Sequence, residues 1–353
     1  MTYLLTGGIL FDGTGRSPRP ADVLIREGLI AAVGEVPGSS VPVDAVRLDV
    51  SGLAVAPGFI DIHSHSDTAV LSRPQADNIV RQGITTQVVG NCGSSPCHTG
   101  SWGEDTWARL AEQGVIRRWD GVEGYLRVVD EAAPSINIAT LVGHGDIRTE
   151  VLGPGGAQPD DDELARMGRM AGESVAAGAF GMSAGLEYVP GRFGTVRELE
   201  ACCQAVASRA GVFTCHLRNE GPQLLEAIEE VLEVTKSTGI RLEVSHLKAC
   251  GQENWGKVRA ALGLLAAARS QGLEVYPDFY PYLASFTELA IVLPDWALDA
   301  GKPEALRRLS DPALRMRAVR EADRRTKRQG GWERVVLVRV ALPGNRWMVG
   351  RDL

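Results

Sequence analysis

The chain has 353 residues, of which 44% are hydrophobic, a formal net charge of −7 and an isoelectric point of about 5.5. This length can bury one large core or two domains, and the acidic balance argues against nucleic acid as a partner and offers no basic face to a membrane. Residues 1–8 lack a basic segment followed by an apolar one, and no apolar run approaches the ~20 residues of a membrane span. We therefore expect a cytoplasmic protein.

The first 55 residues differ in pattern from the rest and predict a small all-β segment. Residues 4–13 are typical of two strands joined by a tight turn at Gly7 and Gly8. Residues 21–34 alternate apolar and polar side chains around Glu27 and Gly28, which indicates a hairpin.

From residue 56 onward the pattern changes to a repeated strand, loop and helix. The predicted strands are 60–63, 85–89, 137–142, 181–183, 212–216, 241–245 and 274–279, and the predicted helices are 160–177, 196–210, 223–238 and 257–268. Seven such alternations favour a parallel sheet and most simply a (β/α) barrel, whose active site forms at the C-terminal ends of the strands.

A His-x-His motif ends the first of these strands. The apolar run before it predicts a buried strand, and residues two apart on a strand point to the same face. His63 and His65 can therefore present two imidazoles to one metal ion.

Further metal-type side chains follow other predicted strands. Cys92 lies in a glycine-flanked turn after 85–89, and His144, His216 and His246 each follow an apolar strand. Strand ends in a parallel barrel meet at one mouth, so their shared position predicts a common site.

The candidate ligands are five side chains, namely His63, His65, Cys92, His216 and His246. A catalytic zinc takes three protein ligands and a structural zinc four, so five indicate either two bridged metals or one full and one partial site. Thiolate with imidazole favours zinc over magnesium or calcium. We expect Cys92 with the two later histidines to form the tight set, and His63 with His65 to form a weaker one.

The end of the chain departs from the strand-and-helix rhythm. Residues 284–334, with a basic helix at 304–328, predict an insertion over the barrel mouth. Residues 335–340 are typical of another strand, and 349–353 of the start of a helix.

The sequence resembles the amidohydrolase superfamily and, within it, the N-acyl-D-amino-acid deacylases or D-aminoacylases. The resemblance is carried by residues 57–67, 82–93, 141–145, 181–188, 216–221, 245–248 and 280–282. The His-x-His is common to the superfamily, whereas the cysteine turn and the His-Leu-Lys at 246–248 are more particular to this branch.

The resemblance implies an α/β fold: a metal-dependent (β/α)8-type barrel and a small β-sandwich built from both chain ends. It implies zinc as the cofactor and a small N-acylated amino acid as the partner, hydrolysed to a carboxylate and a D-amino acid. It assigns the tight zinc to Cys92, His216 and His246 and the weaker position to His63 and His65. It further implies substrate contacts for Lys248 and Tyr280, with Tyr188 lining the pocket.

The family also places a general-base aspartate on the last barrel strand. The sequence stops at Leu353, before that strand, and Asp352 lies in the expected start of the preceding helix. We therefore expect an incomplete barrel at 56–353, a sandwich segment at 1–55 without its C-terminal half, and impaired activity.

Two other functions remain open. Cyclic amidases of the dihydropyrimidinase or dihydroorotase type bridge two metals with a carbamylated lysine on the fourth strand, but residues 179–183 contain no lysine. The other is an inactive remnant that binds zinc without turnover.

Overall fold

The computed structural model describes residues 1–100, 102–327, 330–340 and 343–353. It divides into two compact units, one formed by 1–60 with 82–85 and the other by 61–81 with 86–353. The first unit extends slightly beyond the predicted segment 1–55.

The first unit contains a five-stranded sheet. Its strands are β1 (Thr2–Leu10), β2 (Arg19–Arg26), β3 (Leu29–Gly34), β4 (Val46–Asp49) and β5 (Ala54–Val55). They are ordered β3-β2-β1-β4, and β5 also pairs with β1. The hairpin predicted at Glu27 and Gly28 is confirmed, because both residues have positive φ, 53° and 79°, between β2 and β3.

The tight turn predicted at Gly7 and Gly8 is wrong, because β1 runs through both residues. Its pairing register with β2 shifts between Leu5 and Gly8, and Gly7 has φ 76°. The two glycines therefore form a bulge that bends the strand without reversing the chain.

The second sheet has seven strands in the order β12-β11-β10-β9-β8-β7-β6. Their bounds are β6 (Phe59–Asp61), β7 (Ile84–Val89), β8 (Asn137–Gly143), β9 (Gly181–Gly185), β10 (Val212–His216), β11 (Arg241–Val244) and β12 (Val275–Pro277). The ladders from β7 to β12 are parallel. This is the sheet of an incomplete (β/α)8-type barrel, so the predicted fold class is confirmed.

Twelve α-helices lie in the part of the chain that the structure describes. They are α1 (Ala69–Ser72), α2 (Asp77–Val80), α3 (Glu104–Glu112), α4 (Gly121–Ala132), α5 (His144–Leu152), α6 (Asp161–Ala176), α7 (Val196–Ala207), α8 (Leu224–Thr238), α9 (Lys257–Ser270), α10 (Asp295–Leu298), α11 (Gly301–Ser310) and α12 (Pro312–Lys327). None of them combines the length and apolarity needed to cross a bilayer.

Helices α6 to α9 alternate with strands β9 to β12 and share one core with the sheet. Asp160 and Glu163 cap the start of α6 reciprocally. Fully buried side chains such as Met182, Phe213 and Ile228 fill the space between strands and helices. The packing holds the C-terminal ends of the parallel strands in fixed positions.

Four local expectations need correction. The first strand ends at Asp61, and its Phe59 and Ile60 are 62% and 63% exposed, because β6 is the last strand in the sheet order. Residues 335–340 form no strand and contribute one isolated bridge, between Val336 and Asp352. Residues 349–353 are not helical. The expected helix 304–328 is divided into α11 and α12, and residue 328 lies outside the described residues.

Candidate metal centre

The five side chains expected to bind metal converge in the second unit. One ligand atom from each of His63, His65 and Cys92 lies within 4.8 Å of the other two, and the same holds for Cys92, His216 and His246. Cys92 belongs to both groups, so the two sets of ligand atoms meet at its sulfur.

Cys92 is held in a left-handed backbone conformation by its glycine-rich turn. Its φ is 56°, and Gly90 and Gly93 on either side have φ 78° and 81°. A Cβ added to Gly185, at the end of β9, would lie 2.1 Å from the Cys92 carbonyl oxygen. The turn therefore packs directly on the neighbouring strand end, and this contact fixes where the thiol points.

The two later histidines are placed by adjacent strands. His216 is the last residue of β10, and His246 follows β11 with a positive φ of 39°. Their facing ring nitrogens, His216 Nδ1 and His246 Nε2, are 2.9 Å apart. Cys92 Sγ lies 3.9 Å from the first and 3.6 Å from the second.

This donor set fits zinc. With Zn–S near ~2.3 Å and Zn–N near ~2.05 Å, a tetrahedral zinc holds sulfur and nitrogen ligands about 3.6 Å apart and two nitrogens about 3.4 Å apart. The two sulfur-to-nitrogen distances are close to the first value. The two imidazole nitrogens need to separate by only about half an ångström to admit the ion.

Burial is the main influence on the pKa of three of these groups. Burial, and secondarily the negative charge of Glu220, raises the pKa of the Cys92 thiol, so a thiolate there requires a positive partner. Burial together with the nearby His63 ring lowers the pKa of His65 to about 4. Burial likewise lowers the pKa of His246. Both rings are therefore neutral near pH 7, which is the form that binds metals.

Sequence reasoning missed three carboxylates that contact the candidate histidines. Asp278 Oδ2 lies 2.9 Å from His63 Nδ1, Glu187 Oε2 lies 3.2 Å from His216 Nε2, and Glu220 Oε1 lies 2.9 Å from His246 Nδ1. Each follows a strand of the sheet: Glu187 follows β9, Glu220 follows β10 and Asp278 follows β12. That placement was the available signal, and it is the same signal that identified the histidines.

Asp278 also contacts a second partly buried acid, Glu243. Burial opposes ionisation of Asp278, but hydrogen bonds from His63 and Glu243 lower its pKa to about 2. Burial and the adjacent Asp278 carboxylate raise the pKa of Glu243. The pair is therefore one carboxylate and one carboxylic acid at neutral pH, with the negative charge on the residue that contacts His63.

The residues expected to contact substrate lie beside this cluster. Lys248 Nζ is 2.5 Å from a Glu220 carboxylate oxygen and 5.6 Å from the centre of the Tyr280 ring. The Tyr188 ring lies 4.5 Å from the His216 ring. A cavity of about 340 Å³ opens here, lined among others by His246, Lys248 and Tyr280. All eight predicted site residues are thus brought together.

Part of the predicted insertion contacts the loop after β9. Thr287 donates a hydrogen bond to the Tyr188 hydroxyl, and Arg192 donates to the carbonyls of Ile291 and Leu293. That the whole of 284–334 covers the barrel mouth stays a prediction.

His144 follows a strand but does not join the cluster. It begins α5, is fully buried, and its Nε2 lies 2.8 Å from Glu198 Oε1. Arg148 binds the same carboxylate at 3.0 Å. This histidine lies beside the buried Arg148–Glu198 ion pair between α5 and α7.

Comparisons with known proteins agree with this geometry. A profile described as the amidohydrolase family matches residues 48–336. Two proteins of Alcaligenes xylosoxydans xylosoxydans are similar to the chain. The N-acyl-D-glutamate deacylase of this organism is 40% identical over 84% of the chain, and the match covers 59% of that deacylase. The D-aminoacylase is 35% identical over 81% of the chain, and the match covers 58% of that enzyme.

A solved structure is also similar to this chain in fold and sequence. The N-acyl-D-glutamate deacylase of Bordetella bronchiseptica, complexed with zinc and a phosphonate inhibitor that mimics the tetrahedral reaction intermediate, matches with a TM-score of 0.72 and 40% identity. The match covers 79% of this chain and 58% of that protein. The chain thus spans less than three fifths of the length of these relatives.

Proposed function

Because this chain belongs to the amidohydrolase family, we propose that it hydrolyses the amide bond of N-acyl-D-amino acids to a carboxylate and a D-amino acid. The observation that carries the proposal is the convergence of Cys92 with His216 and His246 on one side and with His63 and His65 on the other. The similarity to two D-amino-acid deacylases supports this substrate class.

In this proposal Cys92, His216 and His246 hold the tightly bound zinc, and His63 with His65 form a weaker position. Zinc, when bound, polarises the amide carbonyl and acidifies a water molecule. The chain's contribution is to hold one sulfur and the imidazole nitrogens on rigid strand ends before the ion arrives.

Lys248 and two tyrosines would orient the substrate. The Glu220 carboxylate, against the opposing effect of burial, raises the pKa of Lys248, so its ammonium is charged and can attract the carboxylate of an N-acyl amino acid. Burial raises the pKa of Tyr188, so its phenol keeps its proton and can donate a hydrogen bond. The adjacent cavity of about 340 Å³ is within the size range of small-molecule sites.

The second candidate is a cyclic amidase. Such enzymes use a carbamylated lysine on the fourth strand, but β9 has the sequence Gly-Met-Ser-Ala-Gly and Cys92 supplies the shared ligand instead. The linear N-acyl substrate is therefore favoured.

The test is amine release by the zinc-loaded chain from N-acetyl-D-methionine, N-acetyl-D-glutamate and N-acetyl-L-methionine, with hydantoin as the cyclic substrate. We expect release from the two D-enantiomers and little from the L-enantiomer. Equal release from the L-enantiomer, preferential opening of hydantoin, or no release above the zinc-only rate would overturn the proposal.

Two cysteine variants connect that activity to the site. We expect Cys92→Ala to lose the tight zinc and the D-selective activity. Cys97→Ala should retain both, because Cys97 is buried and contacts Thr140 and Leu141 rather than the histidines. Zinc content measured after dialysis separates the two, and equal zinc in both variants would contradict the ligand assignment.

A further inference from the structure

Three candidate histidine ligands, His63, His216 and His246, have a carboxylate at the ring nitrogen that faces away from Cys92. In His63, Nδ1 lies 2.9 Å from Asp278 Oδ2 while Nε2 lies 3.4 Å from the Cys92 sulfur. In His216 the nitrogens are exchanged, with Nε2 3.2 Å from Glu187 Oε2 and Nδ1 3.9 Å from the sulfur. The two rings therefore use opposite nitrogens toward the same thiol.

The chemistry of these contacts determines where each ring proton lies. A neutral imidazole carries one N–H, and an ionised carboxylate can only accept a hydrogen bond. The N–H of each ring therefore belongs on the carboxylate side, and the lone pair faces Cys92. In metal sites, partners of this kind fix the tautomer and raise ligand basicity.

We propose that Glu187 and Asp278 are positioning residues that select the metal-facing nitrogen of His216 and His63, respectively. This inference rests on the proposed function for the identity of the ligands, but it concerns metal affinity and ring tautomer rather than turnover. Glu220 is not assigned the same role as Glu187 and Asp278, because Lys248 Nζ also lies 3.2 Å from Nδ1 of its histidine, His246.

The two carboxylates act on different halves of the site. Glu187 acts through His216, which belongs to the group with Cys92 and His246, whereas Asp278 acts through His63, which belongs to the group with His65. Loss of Glu187 should therefore weaken binding of the zinc assigned to Cys92, His216 and His246, the first zinc. Loss of Asp278 should weaken zinc binding at the His63 and His65 position, the second zinc.

Amide substitutions distinguish positioning from simple structural support. The other oxygen of Asp278 accepts the backbone N–H of His246. In Asp278→Asn the amide oxygen stays with that N–H, so the amide nitrogen faces His63 and donates to Nδ1, which turns the ring N–H toward Cys92. Among the residues that the structure describes, no second hydrogen bond holds the Glu187 carboxylate, so Glu187→Gln can still present its oxygen to His216 and rescue part of what Glu187→Ala loses.

The experiment measures the affinity of each zinc by competition with a chromophoric chelator, and reads the histidine tautomers from ¹⁵N chemical shifts of the metal-free protein. The variants are Glu187→Ala, Glu187→Gln and Asp278→Asn. Glu230→Gln is the matched control, because the side chains of Glu230 and Glu187 are both 17% exposed and Glu230 binds Arg218 instead of a histidine.

We expect Glu187→Ala to lower the affinity for the first zinc about 10- to 100-fold. The affinity of Glu187→Gln should lie between those of Glu187→Ala and the unsubstituted chain. Asp278→Asn should keep its affinity for the first zinc within a few-fold of the unsubstituted chain and move the His63 proton from Nδ1 to Nε2. Glu187→Ala binding zinc like Glu230→Gln, or an unchanged His63 tautomer in Asp278→Asn, would overturn the inference. Absence of turnover with these shifts intact would overturn only the proposed function.

Discussion

Asp146 is a partly buried acid whose charge state should make the stability of the fold depend on pH. It lies in the first turn of α5, and its Oδ2 accepts the backbone N–H of Ser95 at 2.6 Å. Burial, with a smaller contribution from the charge of Asp67, raises the pKa of Asp146 from 3.8 to about 7 despite the hydrogen bonds from Ser95. The carboxyl is therefore mostly protonated in the folded chain at mild acidity and ionised in the unfolded chain.

The direction of the effect follows from proton linkage. Below pH 3.8 both states are protonated, so the group adds no pH dependence there. Between about pH 4 and 7 the unfolded chain ionises first and is stabilised, so folding stability falls as pH rises and levels off above pH 7. At about 1.4 kcal/mol per pH unit, the shift from 3.8 to about 7 is worth at most roughly 4 kcal/mol, of which roughly 2–3 kcal/mol falls between pH 5 and 8.

Asp146→Asn cannot ionise and should escape this loss. The assay is urea unfolding of the substituted and unsubstituted chains at pH 5 and pH 8. At each pH, the unfolding free energy of the unsubstituted chain is subtracted from that of Asp146→Asn. We expect this difference to be roughly 2–3 kcal/mol larger at pH 8 than at pH 5. Asp162→Asn serves as the control, since Asp162 is also in the first turn of a helix but is exposed. A difference that is constant from pH 5 to 8 would refute the reasoning.

Two further perturbations test the packing around the site. Gly185→Ala forces a methyl group to within 2.1 Å of the Cys92 carbonyl oxygen, so it should lower both thermal stability and zinc content. Gly263→Ala adds its methyl group in open space on α9, so it should leave the zinc content unchanged and stabilise the fold by about 0.5–1 kcal/mol in thermal unfolding. Arg148→Met removes the guanidinium that is paired with the buried Glu198 and should cost about 3–5 kcal/mol in urea unfolding, whereas Arg197→Met breaks an exposed pair and should cost less than about 1 kcal/mol. Equal losses of stability for Gly185→Ala and Gly263→Ala, or for Arg148→Met and Arg197→Met, would contradict the reasoning from packing and burial.

The barrel sheet and the five candidate ligands could be predicted because they depend on local pattern and one global rule. Apolar runs marked each strand, and the C-terminal ends of parallel strands meet at one edge. Cys92, His216 and His246 lie at or just after the C-terminal ends of three such strands, so their convergence required no knowledge of side-chain packing.

The supporting carboxylates could not be predicted in the same way. Asp278 and His63 are separated by 215 residues, and acidic residues are common after strands, so the pairing depends on which strands are neighbours across the whole sheet. The bulge at Gly7 and the loss of the strand at 335–340 have a similar origin. A strand pattern states what a segment can pair with, and tertiary packing decides whether a partner is present.

The candidate ligands have a further consequence because they are so far apart along the chain. His63, Cys92, His216 and His246 come from four separate segments, and no short stretch of the unfolded chain carries the set. A cation held by them acts as a removable cross-link that closes long loops, and it binds only when those segments have assembled. Metal at 100 times its dissociation constant would add about 2.7 kcal/mol to folding. Chelation should therefore loosen the whole barrel sheet at once, while the five-stranded sheet of the N-terminal unit contributes none of these ligands.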